Sequence, residues 1–225
     1  MHDNTNIVNA DNFTILFGID TEHVAGSMWN DLFIPSSYSV LMIAVTSNTV
    51  SVLDGDEVPA GVLLQPKVEA EIAFVMARTP DANRLTTAEI INSVAYALPA
   101  IEIVDSRIAN WDIKIVDTIA DNASSGLFVL GTSPRKIAEL DLRLCGMVME
   151  VNGDQVSFGA GAACLGNPLH ALGWLAKTMA DNGAPLKEGD VVLSGALGPM
   201  VGVSGGDYVE ARIEGLGAVR VSFAG

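Results

Sequence analysis

The chain has 225 residues, of which 49% are apolar and 17% charged, and its formal net charge at pH 7 is −15. This composition predicts one compact globular domain with a sizeable core, and it excludes an intrinsically disordered chain. The negative charge argues against nucleic acid or an anionic membrane as a partner, because both require a basic face. If the substrate is a small carboxylate, so acidic a protein needs a local positive centre to hold it, and a metal ion would serve.

The start of the chain and its cysteines indicate a cytoplasmic protein. No basic or apolar run resembling a signal peptide follows Met1, and apolar stretches such as residues 39–45 are too short to span a bilayer. Cys145 and Cys164 show neither CxxC spacing nor a nearby histidine that would complete a zinc site. We therefore expect two buried thiols in a reducing compartment.

The N-terminal part differs from the rest in charge. No Lys or Arg precedes Lys67, so the first 66 residues carry −8 and the other 159 carry −7. Residues 40–45 and 50–53 flank a Ser-Asn turn region and predict a hairpin that ends at Asp54-Gly55-Asp56. We assign residues 1–53 to a divergent N-terminal segment.

Two helices are predicted in the remainder, after a strand over residues 68–77. The first begins at Thr86 with Glu89 completing a capping box, and its apolar spacing runs to Leu98 before Pro99. The second begins at Asn167-Pro168, a cap followed by proline at the first helical position, and ends near Gly183.

The other predicted elements are strands. Residues 142–151 and 155–158 surround Asn152-Gly153, a strong hairpin signal, and residues 191–194 form another strand. Apolar and polar residues alternate over 209–214 and again over 219–223. This balance predicts an α+β fold, a mixed β-sheet roll or sandwich with two main helices. A doubly wound sheet would need more helices.

Three glutamates in apolar surroundings are the candidate metal ligands. Glu69 and Glu71 lie two apart on a strand and therefore point to the same face. Glu102 lies between apolar residues on both sides, where a lone carboxylate is costly to bury. An oxygen-only ligand set suits Mg²⁺ or Mn²⁺ better than zinc. A solvated strand face with exposed glutamates is the alternative.

Several ordered motifs across residues 54–225 closely resemble one branch of the fumarylacetoacetate hydrolase superfamily, the 2-keto-4-pentenoate hydratase / 4-oxalocrotonate decarboxylase family. They are Gln65-Pro66-Lys67-Val68-Glu69-Ala70-Glu71-Ile72-Ala73-Phe74, Pro99-Ala100-Ile101-Glu102-Ile103-Val104-Asp105-Ser106-Arg107, Val116-Asp117-Thr118-Ile119-Ala120-Asp121-Asn122-Ala123-Ser124-Ser125-Gly126, residues 159–168 and residues 193–200.

The resemblance implies a catalytic domain over residues 54–225 with the fold of the C-terminal part of fumarylacetoacetate hydrolases. It implies that Glu69, Glu71 and Glu102 ligate Mg²⁺ or Mn²⁺, and that Ser124 lines the substrate pocket. The implied reaction is hydration of 2-hydroxypenta-2,4-dienoate, the tautomer of 2-keto-4-pentenoate, to 4-hydroxy-2-oxopentanoate in aromatic catabolism. A homo-oligomer is expected, with a complex with another catabolic enzyme as a further possibility.

The catalytic groups are less well defined than the ligand set. Lys67 is a candidate for pairing with the substrate carboxylate and for catalysis, or it simply balances the glutamates. Relatives carry a lysine upstream of the metal motif that has no counterpart here, and Asp31 is the candidate for a further acidic group. Two alternatives therefore stay open: a 4-oxalocrotonate (2-oxo-3-hexenedioate) decarboxylase, and a catalytically weak assembly subunit.

Overall fold

The computed structural model describes residues 6–10, 13–18, 41–46 and 51–225, with only the backbone described before residue 51 and at Ile115 and Ile119. Three α-helices lie in this part of the chain: α1 Thr87–Ser93, α2 Ile115–Ala120 and α3 Pro168–Asp181. The strands are β1 Asn6–Ala10, β2 Phe13–Gly18, β3 Leu41–Thr46, β4 Ser51–Leu53, β5 Glu57–Val58, β6 Pro66–Met76, β7 Val94–Asp105, β8 Ser125–Leu130, β9 Gly146–Val151, β10 Asp154–Ala160, β11 Val191–Leu193, β12 Val201–Gly202, β13 Tyr208–Ile213 and β14 Gly217–Phe223.

These strands form two sheets within the described residues. The larger has the order β1-β2-β3-β11-β6-β7-β8-β4, with β12 also paired to β6, and the smaller has the order β10-β9-β13-β14-β5. Among the strand pairs that the structure describes, only β4–β8 and β5–β14 are parallel. The predicted α+β class with mixed sheets is therefore confirmed, and α2 is a short helix that the sequence pattern did not predict.

The main core lies between the two sheets and α3. Alternate residues of β6 (Ile72 and Phe74 among them) point into it, and the inward residues of β13 and β14 do the same from the smaller sheet. Helix α3 contributes Leu172, Leu175 and Met179, which recur at helical spacing and are buried. Because one face of β6 is thus used by the core, its other face is available for polar side chains.

Two local sequence signals are confirmed in detail. The side chain of Asn167 accepts a hydrogen bond from Leu169 N–H and caps α3, with Pro168 in the first turn. Asn152 and Gly153 both have positive φ angles, 54° and 89°, as a type I′ turn requires, and they join β9 to β10. The predicted strand over residues 142–151 is shorter in the structure and begins at Gly146.

The predicted first helix is wrong beyond Ser93. Thr86 caps α1 by accepting from Glu89 N–H, but Val94 begins β7, which continues through Pro99 to Asp105. Pairing with β6 along almost its whole length outweighs the helical spacing of the apolar residues. Glu89 does not complete the capping box, because its carboxylate binds Arg78 and the backbone N–H of Asp81 instead.

The predicted hairpin of residues 40–45 and 50–53 is also wrong. β3 pairs with β2 and β11, whereas β4 pairs with β8 at the far end of the larger sheet. The Ser-Asn turn region between them lies outside the described residues, and adjacency in sequence did not specify which strands would pair, since strand partners are set by burial of a face across the sheet. No helix in the described part of the chain is long and apolar enough to cross a membrane.

Candidate metal centre

Strands β6 and β7 bring three glutamates together. Their register places Glu69 directly opposite Glu102, and Glu71 opposite Ala100, so Glu71 is the diagonal neighbour of Glu102. Each of the three side chains offers a carboxylate oxygen, and these oxygens all lie within 4.8 Å of one another. Glu71 is 0% exposed, and Glu69 and Glu102 are each 5% exposed. The alternative of a solvated strand face with exposed glutamates is therefore wrong.

The electrostatics of this cluster favour neutral carboxyl groups when no cation is present. Burial, and then the negative charge of Glu102, raises the pKa of Glu69 to about 8, although Lys67 offsets part of that rise. Burial, followed by the charges of Glu102 and Glu69, also raises the pKa of Glu71. Burial raises the pKa of Glu102 to about 7, and the close approach of the Glu71 carboxyl group lowers it in part. Three carboxylates so close and so buried require protons or a cation.

Residues 194–200 form the wall of the site beside β6. β11 pairs with β6 as far as Ala73, and β12 resumes pairing with the same strand at Val68. Between them the chain turns at Gly195, whose backbone N–H donates to Glu71 Oε2 at 2.7 Å. The second oxygen, Glu71 Oε1, is buried and receives no hydrogen bond from a donor group. A buried carboxylate oxygen without a donor, in a cluster of three carboxyl groups, fits a divalent cation that the three glutamates would hold.

Residues 194–200, the wall, pack closely against β6 and β10. Leu197 N–H donates to Ala70 O at 3.0 Å, and Leu197 O accepts from Ala160 N–H at 3.1 Å. A Cβ atom on Gly159 would lie 1.9 Å from Leu197 O, so only glycine allows β10 to approach this closely. Cys164 donates its thiol to Ser194 O, and burial together with the negative charge of Glu71 raises the pKa of this thiol to about 12.

Ser124 lies at the entrance to β8, the strand next to that of Glu102. The register pairs the following residue, Ser125, with Val104, two positions from Glu102. The Ser124 hydroxyl donates to Asp121 Oδ2 at 2.8 Å, and the same oxygen accepts from the hydroxyl of Ser106 at 3.2 Å. Asp121 therefore orders this loop through its side chain.

The backbone around Ser124 is strained. Asn122, Ala123 and Ser124 have φ angles of 51°, 57° and 54°, a run of three non-glycine residues in the left-handed region. Arg107 forms an ion pair with Asp121, at 3.5 Å between Nε and Oδ1, and also donates to Ser125 O at 2.8 Å. Such strain persists only where surrounding contacts enforce it, and it concentrates at functional sites.

Lys67 lies on the same face of β6 as Glu69, two residues before it, and its amino group contacts the ring of Trp111. Its Nζ lies 4.1 Å from the centroid of the Trp111 ring, a cation–π contact, and its charge stabilises the ionised form of Glu69. A cavity of about 510 Å³ adjoins Lys67 and Trp111, and none of the three glutamates lines it. Asp31, the other candidate catalytic group, lies outside the described residues.

Sequence reasoning missed Gly195, Ser194 and Trp111 as contributors to this region. Ser194 ends a predicted strand and both residues lie in a motif shared with relatives, but no spacing rule predicts that a glycine 124 residues away would bind Glu71. Trp111 Nε1 donates to Gln65 O at 2.9 Å, which fixes the ring beneath Lys67. The tryptophan carried no periodic signal that would have identified it.

Comparison with known proteins assigns the chain to a family. Residues 29–224 match the family model for the fumarylacetoacetate (FAA) hydrolase C-terminal region, and the chain belongs to that family. The TodF product hydratase of Pseudomonas putida F1 is 59% identical over 171 residues, which are 76% of this chain and 64% of that protein. The 2-keto-4-pentenoate hydratase of Paraburkholderia xenovorans LB400 is 55% identical over 76% of this chain and 63% of its own length.

Solved structures agree with this assignment. The 4-oxalocrotonate decarboxylase of Pseudomonas putida G7, complexed with magnesium and adipate, has a TM-score of 0.75 and 36% identity, covering 81% of this chain and 70% of that chain. The family and fold predicted from the motifs are thereby confirmed. The chain spans slightly less than two thirds of the length of the curated relatives named above.

Proposed function

We propose that this protein is a metal-dependent hydro-lyase that adds water to 2-hydroxypenta-2,4-dienoate and gives 4-hydroxy-2-oxopentanoate. The observation that carries the proposal is the buried convergence of Glu69, Glu71 and Glu102, with Glu71 Oε1 left without a donor. Relatives at 55–59% identity named as hydratases support the reaction type. The catalytic unit is proposed to be residues 54–225, acting in the cytoplasm as a homo-oligomer.

Mg²⁺ or Mn²⁺ is the proposed cofactor, held by the three glutamates. When bound, such a cation supplies Lewis acidity toward the vicinal carboxylate and C2 oxygens of the substrate. The three glutamates are almost fully buried, and residues 194–200 pass beside them, where Gly195 N–H donates to Glu71. Lys67, whose Nζ lies against the Trp111 ring, is proposed to attract the substrate carboxylate and to offset locally the protein's net charge of −15.

Ser124 is proposed to contact the substrate as an acceptor. Because its hydroxyl proton is already donated to Asp121, the oxygen is left to receive a hydrogen bond from substrate or from the water that adds. The proton transfers also require a general acid/base. Asp31 is proposed for this role, as a carboxylate in the acidic part of the chain.

A metal-replacement assay tests this function. Removal of divalent ions by a chelator should lower the melting temperature and abolish hydration of the dienoate, and Mg²⁺ or Mn²⁺ should restore both. Glu69→Gln, Glu71→Gln and Glu102→Gln should each weaken metal binding. Glu210→Gln, on the terminal hairpin away from the cluster, is the control and should bind metal like the wild type. Full activity in a metal-free sample would refute the proposal.

A second candidate is decarboxylation of 4-oxalocrotonate, which the likeness to the decarboxylase of Pseudomonas putida G7 favours. A six-carbon diacid needs a cationic group at the far end of the pocket, and no Lys or Arg occurs before Lys67. Assay of both substrates on one metal-loaded sample separates the candidates. Release of CO₂ from the diacid without hydration of the five-carbon dienoate would favour the decarboxylase.

A further inference from the structure

The carboxylate of Glu71 is bound unevenly. Its Oε2 accepts the backbone N–H of Gly195 at 2.7 Å, while its Oε1 is buried and has no donor. Among the described residues, no backbone N–H donates to Glu69 or Glu102, whose charged forms are stabilised only by Lys67 and by the contact with Glu71. Glu71 is thus the one member of the described cluster that is anchored to the backbone.

From this asymmetry we propose that Ser194 and Gly195 are positioning residues for the metal. They keep Oε2 of Glu71 on the protein, so that Oε1 alone faces the cation and Glu71 binds it through a single oxygen. The inference rests on the proposed metal-dependent function and adds to it a named support for one ligand. An outer contact of this kind fixes ligand orientation before the ion arrives.

Ser194 ties the turn to the strand that carries Glu71. Its N–H donates to Ile72 O at 2.9 Å, and its hydroxyl accepts from Ile72 N–H at 3.1 Å and donates to Gly195 O at 2.9 Å. The thiol of Cys164 donates to Ser194 O at 2.6 Å. Because Ile72 is the residue after Glu71, these bonds hold the Gly195 N–H at a fixed distance from the carboxylate.

The conformation of Gly195 is part of the same device. Its φ of +94° lies in a region that residues with a Cβ atom rarely adopt. With this angle the backbone N–H turns back toward β6 after the chain has left β11. A side chain at position 195 would disfavour this turn and leave Glu71 Oε2 without its donor, which makes the glycine a requirement of the ligand and not only of the loop.

The test is Mn²⁺ binding to the full chain, measured by titration calorimetry and by the electron paramagnetic resonance spectrum of the bound ion. Ser194→Ala keeps all three carboxylates but releases the turn, so we expect about 10- to 100-fold weaker Mn²⁺ binding and an altered spectrum. Ser157→Ala is the matched control, because Ser157 is equally buried and donates to Pro199 O on the same segment without reaching Glu71. It should bind Mn²⁺ within about twofold of wild type, as expected where no ligand contact is lost.

A comparison of glutamine variants tests the same idea without disturbing the turn. In Glu71→Gln the carbonyl oxygen should stay on Gly195 N–H, which places the amide nitrogen, a donor, where Oε1 faced the ion. Glu69→Gln and Glu102→Gln have no such anchor and can rotate an oxygen toward Mn²⁺. We therefore expect Glu71→Gln to lose at least about tenfold more affinity than either, in line with the effect of an outer contact.

The outcomes separate the two proposals. Mn²⁺ binding by wild type with unchanged affinity in Ser194→Ala, or equal losses in the three glutamine variants, would overturn the positioning role and leave the metal site intact. If Ser194→Ala does not fold, as judged by circular dichroism, the glutamine comparison decides alone. A wild-type chain that binds no Mn²⁺ would overturn the proposed function, and this inference with it.

Discussion

At the scale of single residues, the site combines three like-charged carboxyl groups with nearly complete burial, and burial disfavours their charged forms. Glu69 and Glu102 face each other across two paired strands, an arrangement that is unfavourable for like charges. Their neighbours on the same strands pack into the main core, so neither side chain can move to solvent without disturbing the sheet. Ionising all three carboxyl groups in the folded protein is therefore unfavourable in free energy unless protons or a cation neutralise them.

This cost gives the metal-free protein a specific pH dependence. The pKa of Glu69 rises from 4.5 to about 8 on folding, and that of Glu102 rises from 4.5 to about 7. Between the unfolded pKa of 4.5 and the raised folded values, the folded state holds protons that the unfolded state has released. The free energy of unfolding therefore falls as pH rises through this range. We expect the melting temperature of the chelator-treated protein to decrease from pH 5 to pH 8, measured by circular dichroism.

Metal should reverse this trend, because cations bind the ionised carboxylates. The gain in melting temperature caused by Mn²⁺ should therefore be larger at pH 8 than at pH 5. Glu210→Gln is the control: burial opposes ionisation of Glu210, but Arg212 and Arg220 bind it and leave its pKa below the ordinary value. Its removal should leave the slope unchanged. A metal-free melting temperature that is constant from pH 5 to pH 8 would contradict this account.

Asp121 has a structural role that can be separated from substrate binding. Its carboxylate accepts from the hydroxyls of Ser106 and Ser124 and from Arg107 N–H, so Asp121→Ala strands several donors at once. Hydrogen bonds to a charged group are worth about 1.5–3 kcal/mol, so we expect the free energy of unfolding of Asp121→Ala, measured in urea, to fall by an amount of that order.

Ser124→Ala should instead weaken oxalate binding to the metal-loaded protein by about 0.5–1.5 kcal/mol. Equal unfolding losses for the two variants would argue against this division.

At the scale of elements, the wall of residues 194–200 depends on the close approach of β10. Gly159→Ala should push Leu197 O away, with an overpacking cost of about 1–3 kcal/mol in chemical unfolding and weaker Mn²⁺ binding. Gly202→Ala is the control, because no atom lies within 4 Å of the added methyl group and the strand there is exposed. Its effect should stay within about 0.5 kcal/mol. Wild-type stability in Gly159→Ala would show that the wall is not rigid.

The elements also show which parts of the fold the sequence specifies locally. The cap at Asn167 and the turn at Asn152-Gly153 are set by a few adjacent residues, and both were predicted correctly. β7 was partly predicted as helix, because its strand character comes from partners β6 and β8 rather than from its own spacing. The pairing of β3 and β4 failed for the same reason.

The candidate site divides in the same way. The two-residue period of a strand predicted that Glu69 and Glu71 share a face. The cost of burying a lone carboxylate identified Glu102 as the third candidate ligand. The structure brings the three carboxyl groups together. The contact of Gly195 with Glu71 was not predictable, since it arises where the chain leaves one strand and returns to the same partner. Side chains that act through residues distant in sequence need the fold before they can be identified.

At the scale of the whole molecule, charge should govern turnover. The first 66 residues carry −8 and contain no Lys or Arg, so we expect them to oppose an anionic substrate, most strongly at low ionic strength. We expect metal and oxalate binding to be retained and hydration of the dienoate to be slow compared with the Pseudomonas putida F1 relative. Steady-state assays of the chain alone, and mixed with that relative, measure this. Fast hydration by the chain alone, unaffected by Asp31→Asn, would contradict it and the assembly-subunit alternative.

The route of residues 194–200 has one more consequence. Because β11 and β12 both pair with β6, this stretch departs from one strand and rejoins it. Residues 196–200 can therefore change without altering the order of the sheet, whereas Ser194 and Gly195 are held by their contacts with Ile72 and Glu71. Exchange of residues 196–200 is therefore a way to remodel the surroundings of Glu71 while the two strands that carry the glutamates keep their pairing.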